Sequence, residues 1–149
     1  MERMNATDIV KTVLVVEPCA EHLPVIEQAF QSSTIPHQLV PLNQGEQALD
    51  FLERRGSYSN APRPDLILLE LEFPESNGMD ILSEIKQNSQ FKRIPVIILT
   101  AIEQPQQVLQ SYLLQGNSYV VKSGELDCLF QLIRRIDEFW LGIVTLPVE

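Results

Sequence analysis

PDLILLELEFPESNG, residues 64 to 78, is the stretch of sequence that most constrains the fold. Four apolar residues, Leu66 to Leu69, run directly into Glu70, and a second carboxylate, Glu72, follows two residues later. A continuous apolar run of this length is typical of a strand buried on both faces of a parallel sheet. The proline, asparagine and glycine that follow are turn residues. The pattern therefore predicts a buried strand that ends in a carboxylate, and that carboxylate is a glutamate.

Similar apolar runs recur along the chain. The predicted strands are Val13 to Val16, His37 to Pro41, Leu66 to Leu69, Val96 to Leu99 and Tyr119 to Val121. The His37 run is the weakest and is expected at an edge of the sheet. Alternating with the strands are segments whose apolar residues have helical spacing. These stripes are Leu23/Ile26/Ala29/Phe30, Ala48/Leu49/Leu52, Met79/Ile81/Leu82/Ile85, Val108/Leu109/Tyr112/Leu113 and Leu126/Leu129/Ile133/Ile136/Trp140. The alternation predicts an α/β fold, a doubly wound, five-stranded parallel sheet with five helices.

The composition and net charge of the chain limit the kinds of partner that it is expected to bind. The chain has 149 residues, of which 44% are hydrophobic and 21% charged, which suits one folded domain. Its formal net charge is -9 and it has only 11 basic residues, so we expect no nucleic-acid partner. No apolar run approaches the length of a membrane span, so we expect no membrane partner either.

The cysteine and histidine residues suggest no metal or catalytic motif. Cys19 and Cys128 occur without a signal peptide, which indicates reduced thiols in a cytoplasmic protein. Cys128 lies in an apolar stretch and is expected to be a small buried side chain. His22 and His37 are expected to be ordinary surface residues.

Polar residues end the predicted central strands. Glu17, Glu70, Thr100 and Lys122 each follow an apolar run directly. Sheets of this class bind ligands outside the carboxyl ends of their strands, so we expect these four side chains to converge. Carboxylates there suit a hard divalent cation, and a hydroxyl with an ammonium suits a phosphoryl group. The loop after the first strand, EPCAEH, has no glycine, which disfavours a nucleotide-binding loop.

With these residues in place, the chain resembles the receiver domain of two-component response regulators, and in detail the small single-domain regulators associated with cyanobacterial phytochromes. The matching stretches are VLVVEPCAEHLPVIEQAF, ALDFLERRG, PDLILLELEFPESNGMDILSEIK, IPVIILTA and GNSYVVKS. Thirty residues separate Glu70 from Thr100, and twenty-two separate Thr100 from Lys122, as the family requires. The resemblance implies a flavodoxin-like (CheY-like) receiver fold with strand order 2-1-3-4-5.

The resemblance also implies a role for each residue. In the family an aspartate ends the third strand and accepts a phosphoryl group, with Mg²⁺ held by an acidic pair, the acceptor and one carbonyl group. Glu70 occupies the acceptor position here, and Glu17 with Pro18 occupies the acidic pair. Glu72 occupies the carbonyl position. The phosphoryl-binding hydroxyl and ammonium fall on Thr100 and Lys122, and the aromatic switch position falls on Tyr119.

Three positions depart from the family pattern. Glu70 is one methylene longer than aspartate, and a misplacement of about 1 Å in a reacting group can cost on the order of 100-fold in rate. Pro18 removes one anionic ligand, so a Mg²⁺ site built from Glu17, Glu70 and Glu72 is expected to be weakened. Ser123 replaces the usual proline after the lysine, so a trans peptide bond is expected there.

The C-terminal segment carries more apolar residues than one buried helix face needs. Phe139, Trp140, Leu141 and Ile143 extend past the usual receiver end, and two interpretations stand equally. In the first, they form a partner interface, here a homodimer. In the second, the tail folds back on its own domain.

The sequence favours a single receiver domain over residues 1–149, with a core at about 10–140 and an apolar extension over 141–149. It is a non-enzymatic pseudo-receiver whose phosphorylation is impaired or absent. It acts by contacts with a sensor histidine kinase or another signalling protein. One alternative is a receiver that is phosphorylated through a modified acidic site with Mg²⁺. A less favoured alternative, from another class, is a flavodoxin-like module that binds a small ligand.

Overall fold

The computed structural model describes residues 10 to 148, and a single parallel sheet organises them. Its strands are β1 (Lys11–Val16), β2 (His37–Leu42), β3 (Leu66–Leu69), β4 (Val96–Thr100) and β5 (Ser118–Val121). They lie in the order β2-β1-β3-β4-β5, and each neighbouring pair is parallel. This confirms the predicted fold, including the edge position of β2.

Five α-helices connect and follow the strands. They are α1 (His22–Gln31), α2 (Gly45–Leu52), α3 (Gly78–Gln87), α4 (Pro105–Leu113) and α5 (Leu126–Ile136). A short 3₁₀ turn covers Gly56–Tyr58, and a π-helical turn, Asp137–Leu141, continues α5. Right-handed crossovers place these helices on both faces of the sheet.

Two hydrophobic clusters fill the two sides of the sheet. Alternate residues of β1, such as Val13 and Leu14, point to opposite faces, as the pleat requires. On one face, α1 and α5 cover the sheet with side chains that include Phe30 and Ile133. On the other face, α2 and α3 cover it, with Leu82 among the buried side chains. The central strands are buried on both faces, which explains their unbroken apolar runs.

Helix α4 differs from the stripe that its sequence suggests. Leu109 is 60% exposed and Leu113 is 72% exposed, while the buried residue of this helix is Ser111. Tyr112 is also exposed. The apolar stripe of α4 therefore faces solvent and not the core, because α4 lies beside the half-buried edge strand β5. Apolar residues at helical spacing predict a helix with an apolar face, but they do not show what packs against that face.

The C-terminal tail folds back in part on its own domain. Leu141 is 4% exposed and packs with Leu146 in the cluster beside α1 and α5, so the interface predicted for Leu141 is wrong for the folded chain. Trp140 is half-buried against the same cluster. Phe139 and Ile143 remain exposed, so for these two residues the interface stays a prediction.

The buried carboxylate of Asp137 holds the start of this tail in place. Its Oδ1 accepts a hydrogen bond of 2.9 Å from the Ser33 hydroxyl, and its Oδ2 accepts one of 2.8 Å from Arg134. Arg134 also donates to the carbonyl oxygen of Ala29 at 3.3 Å. These contacts join the end of α5 to the end of α1.

The connection from β3 to α3 is tight because of Gly78. Its amide donates to the carbonyl oxygen of Leu71 at 2.9 Å, and Asn77 caps α3 by accepting from the Met79 amide at 2.9 Å. A Cβ atom added at Gly78 would fall 2.5 Å from the Cα atom of Leu71 and against the carbonyl oxygen of Glu70. This close approach fixes the backbone that carries Glu70.

We predict that Gly78→Ala lowers the free energy of unfolding by about 1–3 kcal/mol, because the added methyl group must push backbone atoms apart. Gly124→Ala is the matched control, since a Cβ atom there meets nothing within 4 Å. It should change stability by less than about 1 kcal/mol. Urea unfolding measures both, and equal effects of the two substitutions would contradict the role assigned to Gly78.

Candidate functional site

The backbone ladder brings four polar side chains to one edge of the sheet. The Glu70 amide donates to the Val16 carbonyl oxygen at 3.0 Å, which sets the end of β3 beside the end of β1. The Lys122 amide donates to the Thr100 carbonyl oxygen at 2.9 Å, which does the same for β5 and β4. Glu17, Glu70, Thr100 and Lys122 are all buried there. The predicted convergence of these residues is confirmed.

Lys122 bridges the two buried carboxylates. Its ammonium donates to Oε1 of Glu17 and lies 3.0 Å from Oε1 of Glu70. The second oxygen of each carboxylate accepts from backbone: Oε2 of Glu70 from the Leu71 amide at 2.6 Å, and Oε2 of Glu17 from the Cys19 amide at 3.4 Å. Every oxygen of the two acids therefore has a donor, as buried charge requires.

The pKa values of Lys122 and Glu17 are shifted because both are buried and because one cation pairs with two anions. Burial alone would lower the pKa of Lys122, but its hydrogen bonds and attraction to Glu17 and Glu70 outweigh burial and raise that pKa. Burial raises the pKa of Glu17, and the nearby Glu70 charge adds to the rise, while Lys122 offsets it only in part. With all three groups ionised, the cluster carries one net negative charge.

His22 belongs to the site, so its assignment as an ordinary surface residue is wrong. Its side chain is 16% exposed, and Nδ1 lies 3.9 Å from Oε1 of Glu17. Burial and the charge of Lys122 lower the pKa of His22. The sequence signal was its position at the start of α1, five residues after Glu17, where the helix turns back over the strand end.

Thr100 and Tyr119 meet at one residue of the β4–α4 loop. The Thr100 hydroxyl oxygen accepts from the Ile102 amide at 3.4 Å, and the Tyr119 hydroxyl donates to the Ile102 carbonyl oxygen at 2.6 Å. The Tyr119 ring packs against the cluster beneath α3. Burial and the charges of Glu70 and Glu72 raise the pKa of Tyr119. Tyr119 is therefore an inward-pointing ring, hydrogen-bonded to the loop after Thr100.

The side-chain donors at this edge do not suit a divalent cation as they are arranged. Glu72 is exposed, Pro18 offers no anion, and Glu17 and Glu70 are both paired with Lys122. Among residues 10 to 148, no group of three or more His, Cys, Asp or Glu side chains is placed to hold a metal ion. A cation would have to compete with the ammonium, because Lys122 already pairs with both carboxylates.

Other predictions near the site have mixed outcomes. Within the described residues there is no cis peptide bond, so the trans bond between Lys122 and Ser123 is confirmed. Cys19 is half-buried beside the site. Cys128 is exposed, with its thiol 3.6 Å from Oε2 of Glu125, so the burial predicted for it is wrong. Its apolar neighbours Leu129 and Ile133 take the buried face of α5 instead.

The chain belongs to the response regulator receiver domain family, whose profile matches residues 13–134. Members of this family act in two-component signalling, where they interact with histidine kinases or other signalling proteins. Across residues 10 to 148, no helix has both the length and the apolar character needed to cross a membrane.

Phytochrome response regulators are among its relatives. Response regulator Rcp1 of Synechocystis is 43% identical over 137 residues, which cover 92% of this chain and 93% of Rcp1. The structure of Rcp1 in its Mn²⁺-bound form superposes with a TM-score of 0.89 and covers 93% of this chain and 99% of that one. The phosphorylated cyanobacterial phytochrome response regulator RcpA superposes with a TM-score of 0.90 at 40% identity, over 94% and 100% of the two chains.

We predict that Lys122→Met lowers the free energy of unfolding at neutral pH by about 3–5 kcal/mol, because it leaves two buried carboxylates without a cation. The cost should shrink toward acidic pH. The pKa of Glu17 is raised in the folded state, so folding favours its protonated form. The destabilisation by this carboxyl group therefore grows as the pH rises from 4.5, the ordinary pKa, through the pKa of the folded state.

Urea unfolding between acidic and neutral pH measures this effect. Lys92→Met is the matched control, since that side chain is exposed and pairs with no acid among the described residues. The control should change stability by no more than about 0.5 kcal/mol at every pH. A cost for Lys122→Met that is small, or constant with pH, would show that the ion pair does not stabilise the fold.

Proposed function

We propose that this receiver has a degenerate phosphoacceptor site, is not phosphorylated efficiently, and signals through protein contacts in one fixed state. The observation that carries the proposal is the bridge from Lys122 to both Glu17 and Glu70. In the family, the lysine and hydroxyl bind phosphoryl oxygens. Here the acceptor position itself supplies an anion to the lysine.

Glu70 is poorly placed to act as a nucleophile. One of its oxygens faces the Lys122 ammonium at 3.0 Å, and the other accepts from the Leu71 amide at 2.6 Å. Attack on phosphorus would have to break at least one of these charge-assisted contacts, which are stronger than neutral hydrogen bonds. The longer side chain also moves the attacking oxygen away from the position that an aspartate would give it.

A weakened metal site accompanies the altered acceptor. Rcp1 is known in a Mn²⁺-bound form, and we infer that the corresponding site in this chain binds divalent cations less well. Pro18 removes one carboxylate, and the Lys122 ammonium pairs with both Glu17 and Glu70 and offsets part of their charge. A cation therefore gains less electrostatic energy here than in a site with free carboxylates.

The loop after β4 supports a fixed signalling state. Tyr119 already points inward and donates to the Ile102 carbonyl oxygen, and Thr100 accepts from the Ile102 amide. In the family, the aromatic residue turns inward when the phosphoryl group binds. We infer that the Glu70–Lys122 pair takes the place of that event, so that Tyr119 holds its inward position without phosphorylation.

The partner we propose is a sensor histidine kinase of the phytochrome class or another cytoplasmic signalling protein. The named relatives are phytochrome response regulators. The contact surface would be the α4–β5–α5 face, which exposes several apolar side chains. These are Leu109, Tyr112, Leu113, Val121 and Leu126. The net charge of -9 disfavours a nucleic acid on that face, and no enzymatic role is proposed.

The second candidate is a receiver that is phosphorylated on its modified site. RcpA, at 40% identity, is known in a phosphorylated form, and this favours retention of the chemistry. A flavodoxin-like ligand-binding module is the third and weakest candidate, because the loop after β1 has no glycine-rich phosphate cradle.

We predict that incubation with Mg²⁺ and acetyl phosphate adds no phosphoryl group to the wild type, as read by intact mass, under conditions that label RcpA. Any reaction should be roughly 100-fold slower than for RcpA, because the acceptor oxygen is displaced and paired. The matched variant Glu70→Asp/Pro18→Asp restores both acids and should gain the label together with Mg²⁺ binding, measured by isothermal titration calorimetry. A stoichiometric adduct on wild-type Glu70 would reject the degenerate site in favour of the second candidate.

We also predict that the wild type forms a dimer at tens of micromolar, through the exposed part of the C-terminal tail. Ile143 is 73% exposed beside Phe139, so Ile143→Glu should shift the sedimentation coefficient to that of a monomer. Val10→Glu is the control, an exposed apolar residue outside the tail. A monomeric wild type would contradict the prediction. Loss of the dimer in Leu113→Glu but not in Ile143→Glu would place the interface on α4 instead.

A further inference from the structure

A cavity of about 530 Å³ opens at the edge of the sheet opposite to Lys122. It lies between the C-terminal end of α2, the segment that enters β3 and the loop that joins α3 to β4. Its wall carries three arginines, Arg54, Arg63 and Arg93, which are hereafter the arginine pocket. The buried side chains of Leu52, Pro64 and Phe91 line the same space.

The charge of the arginine pocket is unusual for this chain. The chain has 20 acidic and 11 basic residues, yet within residues 10 to 148 none of the three arginines has a carboxylate within 4.0 Å. Glu53 is the acidic residue among those that line the cavity, and it pairs with Arg55 instead. The pocket therefore concentrates positive charge on a protein whose net charge is -9.

Arg63 is half-buried in the wall of the pocket. Its Nε atom is buried and has no hydrogen-bond acceptor among the described residues. Because that atom is closed off from solvent, a ligand would contact Arg63 through the terminal nitrogens of its guanidinium group. Arg54 is held differently: its Nε donates to the Ala61 carbonyl oxygen at 2.9 Å.

We propose that the arginine pocket binds a small organic phosphate. Guanidinium groups match phosphate oxygens in pairs, and three of them suit an anion with more than one charge. The volume of the cavity falls within the range of small-molecule sites and exceeds what inorganic phosphate alone would fill. Leu52, Pro64 and Phe91 offer apolar surface to the organic part of the ligand.

This site is separate from the proposed phosphoacceptor function. The arginine pocket lies at the amino ends of β3 and β4, whereas Glu70 and Lys122 lie at the carboxyl ends of their strands. Substitutions in the pocket leave the four strand-end side chains intact. Failure of either proposal therefore leaves the other in place.

The test is a titration with AMP at constant ionic strength, followed by the ¹⁵N–¹H resonances of the arginine Nε groups. We expect a saturable shift of the Arg63 resonance. Arg93→Gln and Arg63→Gln should each weaken binding by about tenfold or more, since each removes charge-assisted hydrogen bonds. Arg135→Gln, which removes an exposed arginine from α5, is the matched control and should leave the affinity unchanged.

Four outcomes would overturn the proposal. They are no saturation by about 10 mM AMP, shifts spread evenly over all exposed arginines, an equal loss of affinity in Arg135→Gln, and tighter binding of citrate than of AMP, which would assign the pocket to carboxylates. If Arg63→Gln fails to fold, as judged by its thermal melt, Arg93→Gln carries the test, because the side chain of Arg93 is exposed.

Discussion

The shared ammonium of Lys122 is the interaction on which the site depends. Two buried carboxylates from the ends of β1 and β3 approach one cation from the end of β5, and none of the three is exposed enough for water to replace its partner. Removing one partner of such a cluster would leave uncompensated charge, a far larger penalty than the net gain of an exposed ion pair. The geometry of the sheet edge is therefore constrained by charge as much as by the backbone ladder.

The charge of the Lys122 cluster also affects the side chains around it. Because Glu17 and Glu70 compete for one cation, the cluster keeps a net negative charge, and burial of that charge raises the pKa of Glu17. His22 lies 3.9 Å from Glu17, but burial and Lys122 lower its pKa, so it does not supply the missing cation near neutral pH. The longer side chain at position 70 therefore affects charge pairing as well as geometry, because it places its carboxylate 3.0 Å from the Lys122 ammonium.

The sequence predicted the sheet and the converging residues because both follow from local rules. Buried parallel strands are unbroken apolar runs, and polar residues at their carboxyl ends must meet. The stripe of α4 correctly predicted a helix but not that its apolar face meets solvent. The positions of Leu141 and Cys128 were predicted wrongly, since apolar neighbours indicate a packing face but not what covers it. His22 had a local signal, its position five residues after Glu17. The arginine pocket had none, because tertiary packing brings together segments distant in sequence, such as those of Arg54 and Arg93.

A built-in ion pair biases a two-state domain only by the difference that it makes between the states. Reversing an equilibrium from 1:99 to 99:1 requires about 5.5 kcal/mol, and breaking a buried pair costs about 3–5 kcal/mol. Under the proposed function, in which this bridge breaks when Tyr119 leaves its inward position, the bridge would supply part of that free energy. A partner that needs the other arrangement must supply a comparable free energy from its own contacts. One that recognises the present arrangement binds without that cost, so the proposed fixed state would favour a signalling partner of this second kind.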